Sequence, residues 1–172
     1  MRIFVSNVVI VGATKVTNLV QEPEVFYGLQ NKYDRIISVL GGSAQVSQVV
    51  NSDLDLIKIT RTGLPKSVVS TVSEILGVSM EKMSSLLHIS HRTIQRKNDD
   101  ELLNVYGTEQ ILEIADVISR GIEVLGTLEN FTKWLHSEIS VLNYNKPLDF
   151  LDTSFGTKMI KDILGRIEHG VY

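Results

Sequence analysis

The sequence predicts a mainly α-helical protein. We expect a small N-terminal extension at residues 1–60 with one candidate strand, a helix-turn-helix DNA-binding domain at 61–105, and a C-terminal helical domain at 106–172. Two observations carry this prediction. Apolar residues recur at three- and four-residue intervals through most of the chain after residue 61. A polar turn near residues 88–90 also separates an apolar helix from a strongly basic one, which is the arrangement of a helix-turn-helix.

The composition excludes several classes of protein. Among 172 residues there is no cysteine, so neither a disulfide nor a catalytic thiol can form. A hydrophobic fraction of 43% is ordinary for one globular domain or two small ones that share a core. No apolar run approaches the roughly 20 residues that span a bilayer, and the first residues do not resemble a cleavable signal. We therefore expect a soluble protein of the bacterial cytoplasm without membrane contact.

The net charge of −3 conceals an uneven distribution along the chain. Residues 61–97 carry six basic and two acidic side chains, whereas residues 98–172 carry six basic and thirteen acidic ones. Exposed charges are screened beyond about 8–10 Å at working salt, so attraction to a polyanion depends on the local excess. The middle segment is therefore predicted to bind nucleic acid. The acidic C-terminal segment is better suited to a protein partner.

The N-terminal extension gives the weakest signals. Residues 3–11 alternate as in a strand, and residues from Glu22 to Val50 are weakly helical, with a break at "GGS". A second short helix at Ala44–Val50 is plausible. Leu54–Thr60 alternates imperfectly between apolar and polar residues, which favours no element strongly.

Capping residues divide the middle segment into three helices. Pro65 is suited to the first position of a helix that Gly77 ends. Ser79 can cap the second helix and Ser90 the third. The packing of a helix-turn-helix requires apolar side chains at four positions of the second and third helices, and all four are apolar here: Met83, Leu87, Ile89 and Ile94.

The third helix of this segment carries the side chains that read a DNA major groove. Arginine can form two hydrogen bonds to guanine, glutamine to adenine, and the threonine methyl can contact thymine. We predict DNA contacts from Ser90, His91, Arg92, Thr93, Gln95, Arg96 and Lys97. Ser90 and the backbone N–H groups that follow it could hold a phosphate. Lys66 and Lys82 could add phosphate contacts, which position the protein on the duplex but do not read its base sequence. The alternative is a basic, solvated helix on a helical bundle.

Two residues depart from the usual helix-turn-helix pattern. Ser84 lies in the first helix of the motif, the one that Ser79 is expected to cap, where many such motifs have alanine. His88 lies in the turn, where many have glycine. Serine is small enough for close helix approach. Histidine tolerates a left-handed backbone more readily than most residues.

The C-terminal segment is predicted to be helical throughout. Thr108 is expected to cap a long helix that Gly126 ends, and shorter helices follow around Phe131 and after Pro147, before a final amphipathic helix. Trp134 and Phe131 are the kind of aromatic side chains that dominate the energy of protein interfaces. Packing of Trp134 in the core is the alternative, because it lies at helical spacing from neighbouring leucines.

No group of residues has the spacing of a known kind of active site, and we expect no catalytic residue, metal or cofactor. His88 and His91 lack a third ligand and straddle a predicted turn. The stretch "VGATKVT" lacks the second glycine of a phosphate-binding loop. Asp149 and Asp152 are better explained by a preference for acidic residues at helix N-termini.

Several motifs in order resemble the Xre antitoxin of RES–Xre toxin–antitoxin operons, also called the MbcA/ParS/Xre antitoxin family. The resemblance covers roughly residues 55–172. The matching residues are Gly63-Leu64-Pro65, Ser90, Arg92-Thr93, Arg96, Trp134-Leu135, Pro147-Leu148, Leu151, Gly156, Leu164, Arg166, Gly170 and Val171.

The resemblance implies an antitoxin with a helix-turn-helix domain and a C-terminal toxin-binding domain. It implies that the protein neutralises a RES-domain, NAD-consuming toxin by covering its active-site entrance, and represses its own operon as a dimer, alone or in a higher hetero-oligomer with the toxin. We expect toxin contacts from Trp134, Arg166, Glu168, His169, Gly170, Val171 and Tyr172. A frayed terminus is the alternative for the tail. We expect dimerisation through the helix Thr108–Leu125. The alternative function is a dimeric helix-turn-helix transcription regulator without a toxin partner.

Overall fold

The computed structural model describes residues 31–171, and within this range the prediction of a mainly helical protein is confirmed. The predicted strand at 3–11, the first part of the weakly helical region after Glu22, and Tyr172 lie outside the described residues. The helices are α1 (Lys32–Val39), α2 (Asp53–Thr62), α3 (Ser67–Leu76), α4 (Met80–Leu86), α5 (His91–Arg96), α6 (Val105–Leu125), α7 (Leu128–Leu135) and α8 (Ser154–Glu168). Short 3₁₀ helices lie at Gly42–Ala44, Ser140–Leu142 and Pro147–Phe150.

The long helix α6 is the centre of the fold. It packs against α1, α2, α3, α7 and α8, while α3, α4 and α5 follow one another at one side. Most of its apolar side chains are fully buried, including Ile111, Ile114 and Ile118. A single hydrophobic core runs from α1 to α8. The helix-turn-helix segment and the C-terminal segment are therefore joined by shared packing.

The start of α6 differs from the expectation. Asn104 caps the helix, because its side-chain oxygen accepts the N–H of Gly107 at 2.9 Å. Thr108 lies inside the helix and is fully buried, and its hydroxyl accepts the N–H of Leu64 at 3.3 Å. The predicted end at Gly126 is confirmed. The monomer already buries most of this helix, so few of its side chains remain for the dimer surface that we expected there.

The region before α3 contains two corrections. No helix forms at Ala44–Val50. A 3₁₀ helix instead ends at Ala44, after Gly41 and Gly42 turn the chain with φ of 100° and 70°. Val46 and Val50 are nevertheless both buried. Two buried apolar residues four positions apart resemble one face of a helix, although the backbone between them is irregular.

The imperfect alternation of residues 54–60 belongs to a helix, α2. The side chain of Ser52 accepts the N–H of Asp55 and caps α2, and acidic residues fill its first turn. Ile59 is buried, whereas Leu54 and Ile57 face outward. Local capping therefore decides the element where the apolar pattern is ambiguous.

Extended backbone closes the helix-turn-helix segment. Pro65 is not the first residue of α3, which begins at Ser67. Pro65 instead forms an isolated bridge with Leu102, and the N–H of Leu103 donates to the carbonyl of Leu64 at 2.8 Å. The chain after α5 is thereby fastened to the chain before α3.

Within residues 31–171, no helix combines the length and the low polarity that crossing a membrane requires.

Candidate DNA-binding and partner-binding surfaces

Helices α4 and α5 and the turn between them form the predicted helix-turn-helix. Ser79 caps α4 and Ser90 caps α5, each by accepting the backbone N–H of the residue three positions on. Met83, Leu87 and Ile94 are at most 2% exposed, and Ile89 packs half-buried against the same core. The apolar positions that the motif requires therefore hold its two helices together.

The turn accommodates both departures from the usual pattern. His88 adopts the left-handed conformation that the turn requires, with φ of 53°. Its Nε2 lies 2.6 Å from the carbonyl oxygen of Asp152, and because a carbonyl only accepts, Nε2 donates this hydrogen bond. Ser84 is buried, and its hydroxyl donates to the carbonyl of Met80 at 2.6 Å. Neither residue leaves a buried polar atom without a partner.

The outward face of α5 presents two arginines. Arg92 and Arg96 are exposed and lie one turn apart, and Gln95 is exposed beside Arg96. Neither arginine side chain makes a hydrogen bond or an ion pair with any residue that the structure describes. Both guanidinium groups can therefore reach a ligand without losing an internal contact.

The other predicted DNA contacts of this helix are engaged locally. The hydroxyls of Ser90 and Thr93 lie 2.6 Å apart within the cap, and His91 is half-buried. The ammonium of Lys97 donates to the carbonyl of Leu102 at 3.1 Å and lies 3.7 Å from Glu101. Lys97 thus helps to hold the following loop.

The acidic C-terminal segment neutralises basic residues from earlier in the chain. Lys66 pairs with Asp99 at 2.7 Å and Lys82 with Asp149 at 2.8 Å. Lys97 with Glu101, Lys32 with Asp116 and Arg35 with Glu123 also pair across the segments. The separation of charge along the sequence is therefore partly cancelled in the fold. Lys66 and Lys82, expected at phosphates, already have carboxylate partners.

A groove runs along the outer side of α8. One wall consists of residues from α8, and the other consists of Trp134 and the segment 139–141. The groove comprises two cavities of about 270 and 210 Å³. Val141, Ile163 and Arg166 line both cavities and join them.

The groove is apolar and open to solvent. Phe155 is 90% exposed, Val171 59%, Val141 55% and Met159 37%. Large apolar side chains that are exposed together usually mark an interaction site, because their burial against a partner is favourable. This surface is the strongest candidate in the described chain for binding another protein.

Three of the residues expected at a toxin line this groove: Trp134, Arg166 and Val171. The ring of Trp134 is half-buried and packs 6.2 Å, centroid to centroid, from the buried ring of Phe131. Trp134 therefore contributes to the core with one part of its surface and to the groove with another.

The remaining tail residues lie apart from the groove lining. Glu168 forms an ion pair with Arg120. The pKa of the Arg120 guanidinium is raised by the hydrogen bonds that it donates to Glu123 and Glu168, against the effect of burial. His169 Nε2 lies 3.8 Å from the carboxylate of Glu168. Gly170 ends the helix with φ of 66°, and the N–H of Val171 donates to the carbonyl of Arg166. Tyr172 lies outside the described residues.

Sequence reasoning missed Phe155, Met159, Ile139 and Val141 as surface residues. Phe155 and Met159 are four residues apart at the start of α8, in line with Ile163. That spacing is a signal, but it indicates only one face of a helix. Which part of the face is covered depends on the neighbouring chain.

Within residues 31–171, no group of three or more acidic or histidine side chains could hold a metal ion.

Comparisons with known proteins assign both halves of the described chain. Residues 55–116 match a family model described as the antitoxin Xre-like helix-turn-helix domain. Residues 120–170 match a model described as the antitoxin Xre/MbcA/ParS C-terminal toxin-binding domain. No curated protein matches the sequence. Among solved structures, a chain in the crystal structure of the M. tuberculosis MbcT–MbcA toxin–antitoxin complex matches at 20% identity with a TM-score of 0.45, covering 62% of this chain and 96% of that chain.

Proposed function

The chain belongs to the Xre/MbcA/ParS antitoxin family, and we propose that it neutralises a RES-domain, NAD-consuming toxin by covering the entrance to the toxin's active site. It is an antitoxin with a helix-turn-helix domain and a toxin-binding domain, and this family is not one of enzymes. The groove of α8 supports the proposal, because this exposed apolar surface lies within the residues that match the toxin-binding domain.

The residues proposed at the toxin are Trp134, Arg166 and Val171 in the groove, with Glu168, His169, Gly170 and Tyr172 at the tail. Tryptophan and arginine are enriched among the few interface residues that carry most of the binding energy. The tail follows directly from the groove along the chain. A toxin that covers the groove at Val171 would therefore also lie close to residues 168–170.

The test is a titration of the toxin's NAD consumption. We expect the gene for a RES-domain protein to adjoin the gene for this chain. That protein is purified, and its activity is measured with increasing amounts of the full chain. We expect activity to fall to zero at a fixed ratio of the two proteins, and co-expression to restore growth. Full activity of the toxin in an excess of the chain would refute the proposal.

We further propose that the protein represses its own operon as a homodimer and forms a larger complex with the toxin. Arg92, Gln95 and Arg96 are proposed to contact bases in the major groove, with Ser90, His91, Thr93 and Lys97 beside them. The guanidinium groups of α5 support this role, because they are exposed and have no partner among residues 31–171. A two-fold dimer would match a palindromic operator.

The DNA proposal is tested by operator affinity. Each of Arg92→Ala and Arg96→Ala should weaken binding by about 1–3 kcal/mol where the arginine contacts a base. Lys82→Ala is the matched control, because the ammonium of Lys82 already pairs with Asp149, and we expect a smaller loss. Unchanged affinity in both arginine variants would contradict reading by α5.

The alternative is a transcription regulator that has no toxin partner. The match of residues 120–170 to a toxin-binding domain favours the antitoxin, because an apolar groove alone would also suit the dimer interface of a regulator. Operator binding that persists when the toxin is not inhibited would support the alternative.

A further inference from the structure

The shape of the groove along α8 restricts what it can hold. Phe155, Met159, Ile163 and Ile167 follow one another at four-residue intervals along the same side of the helix. At 1.5 Å per residue this row is about 18 Å long. The opposite wall is formed by Trp134 and residues 139–141 at the end of the row near Ile163 and Ile167, and Val141 alone continues it beside Phe155 and Met159. The groove is therefore an elongated trough.

The walls of the trough favour a helical occupant. One wall is a helix, whose backbone groups are already hydrogen-bonded within it, and the described wall residues include no strand. An extended segment pressed against such walls would bury backbone N–H and C=O groups without partners, at a cost comparable to lost hydrogen bonds. A helix satisfies its own backbone. About three turns of an amphipathic helix match the length of the trough.

The charges of the trough differ from those of the C-terminal segment as a whole. Lys158 and Arg166 are its cations, and Asp162 is its one acidic lining residue in the described chain. Neither cation pairs with a carboxylate among residues 31–171, whereas Lys82 and Lys161 do. Arg166 lines both cavities, so an occupant would cover it. A guanidinium covered without a counter-charge is costly.

We propose that the trough receives an amphipathic helix of the toxin, whose apolar face covers Phe155, Met159 and Val141 and whose carboxylate pairs with Arg166. This inference rests on the proposed toxin-binding function and adds the chemistry of the toxin segment. The match of residues 120–170 to a toxin-binding domain favours the toxin as the occupant over a second copy. Lys158 and Arg166 outnumber Asp162 in the lining and pair with no carboxylate among residues 31–171, which favours an acidic segment.

The first experiment measures toxin affinity for point variants of the full chain. Phe155→Ser and Arg166→Glu change exposed side chains, so neither should disturb the fold, and unfolding temperatures check this. We expect each to weaken binding about 10- to 100-fold, as truncation of an interface anchor does, and Arg166→Lys to retain most of the affinity. Tyr106→Ser is the matched control, because Tyr106 is 79% exposed and lies outside the trough.

The second experiment identifies the occupant. Arg166→Lys places a primary amine in the trough, and a carbodiimide joins it to a carboxylate that it pairs with. Mass spectrometry of the cross-linked complex should find an acidic toxin residue within a helix. A cross-link to a second copy of this chain, to its residues 1–30, or to an extended toxin segment would overturn the inference.

Trp134 supplies an independent readout. It is the only tryptophan of the chain and lines the trough, so a 5-fluorotryptophan label gives one ¹⁹F signal. We expect this signal to shift when unlabelled toxin is added. If the wild-type chain inhibits the toxin but the signal and the affinities of the trough variants do not change, the inference fails and the proposed function stands. If the wild-type chain does not inhibit the toxin, the proposed function itself fails.

Discussion

The substitution Gly121→Ala tests the close approach of α6 and α7 on which the fold depends. A Cβ atom at this position would lie 2.0 Å from Cδ2 and 2.3 Å from Cε2 of Phe131. The ring of Phe131 is fully buried and cannot move into solvent. Overpacking of this kind costs about 1–3 kcal/mol, and the severity of the contact points to the upper end. Replacing glycine with alanine inside a helix stabilises the folded state by about 1 kcal/mol through helix propensity. We expect a net loss of about 2 kcal/mol.

Gly165→Ala in α8 is the matched control for the same chemical change. No atom of the described residues outside its own helix and chain neighbours lies within 4 Å of a Cβ at this position. Only the change in helix propensity remains there, so we expect a gain of about 0.5–1 kcal/mol. The two variants should therefore shift stability in opposite directions.

Urea unfolding followed by circular dichroism measures the two free energies, and thermal unfolding followed in the same way measures the unfolding temperatures. The free energies convert to changes in unfolding temperature of about 2–4 °C per kcal/mol for a chain of this size. We expect the Gly121 variant to unfold several degrees below the wild type and the Gly165 variant slightly above it. A Gly121→Ala protein as stable as the wild type would refute the proposed contact between the helices.

Three further predictions concern the turn at His88, the stability of the protein at low pH and the DNA-binding surface. His88→Ala should be about 1 kcal/mol less stable than His88→Gly, because both lose the bond to Asp152 but only alanine retains the left-handed strain; chemical denaturation compares them. The pKa of Asp55 is lowered to about 2, first by a hydrogen bond from Lys58. Its contribution to stability is therefore complete above the ordinary value of 3.8 and is lost as the pH falls towards 2, so Asp55→Asn should flatten acid unfolding over that interval. Operator affinity should fall steeply with salt when it is titrated at several salt concentrations. Lys66→Ala should leave the slope of log affinity against log salt concentration unchanged, because Lys66 already pairs with Asp99. A shallower slope would show that Lys66 contacts phosphate.

Local rules predicted much of the helix-turn-helix. Ser79 and Ser90 cap their helices, Gly77 ends α3, and His88 adopts the left-handed turn, all as expected. Each of these features depends on neighbours within a few residues along the chain. The errors at Pro65 and Thr108 have the opposite cause, since both residues are positioned by partners about 40 residues away.

The apolar groove was only partly predictable. Trp134, Arg166 and Val171 were expected at a partner surface, and all three line it. Phe155 and Met159 were missed, because a helical stripe does not reveal which of its residues a neighbouring segment covers. Only the position of residues 139–141 beside α8 turns that stripe into a groove.

The sequence by itself determined the helical class, the turn and the caps, because hydrogen bonds within one or two helical turns fix them. The tertiary structure decided where the charges act. Residues 61–97 are basic and residues 98–172 acidic along the chain, yet Asp99 and Asp149 fold back onto Lys66 and Lys82. Electrostatic energy depends on distance in space. Cations without a carboxylate among their described neighbours stay available to partners, and they include Arg92 and Arg96 on α5 and Lys158 and Arg166 in the groove.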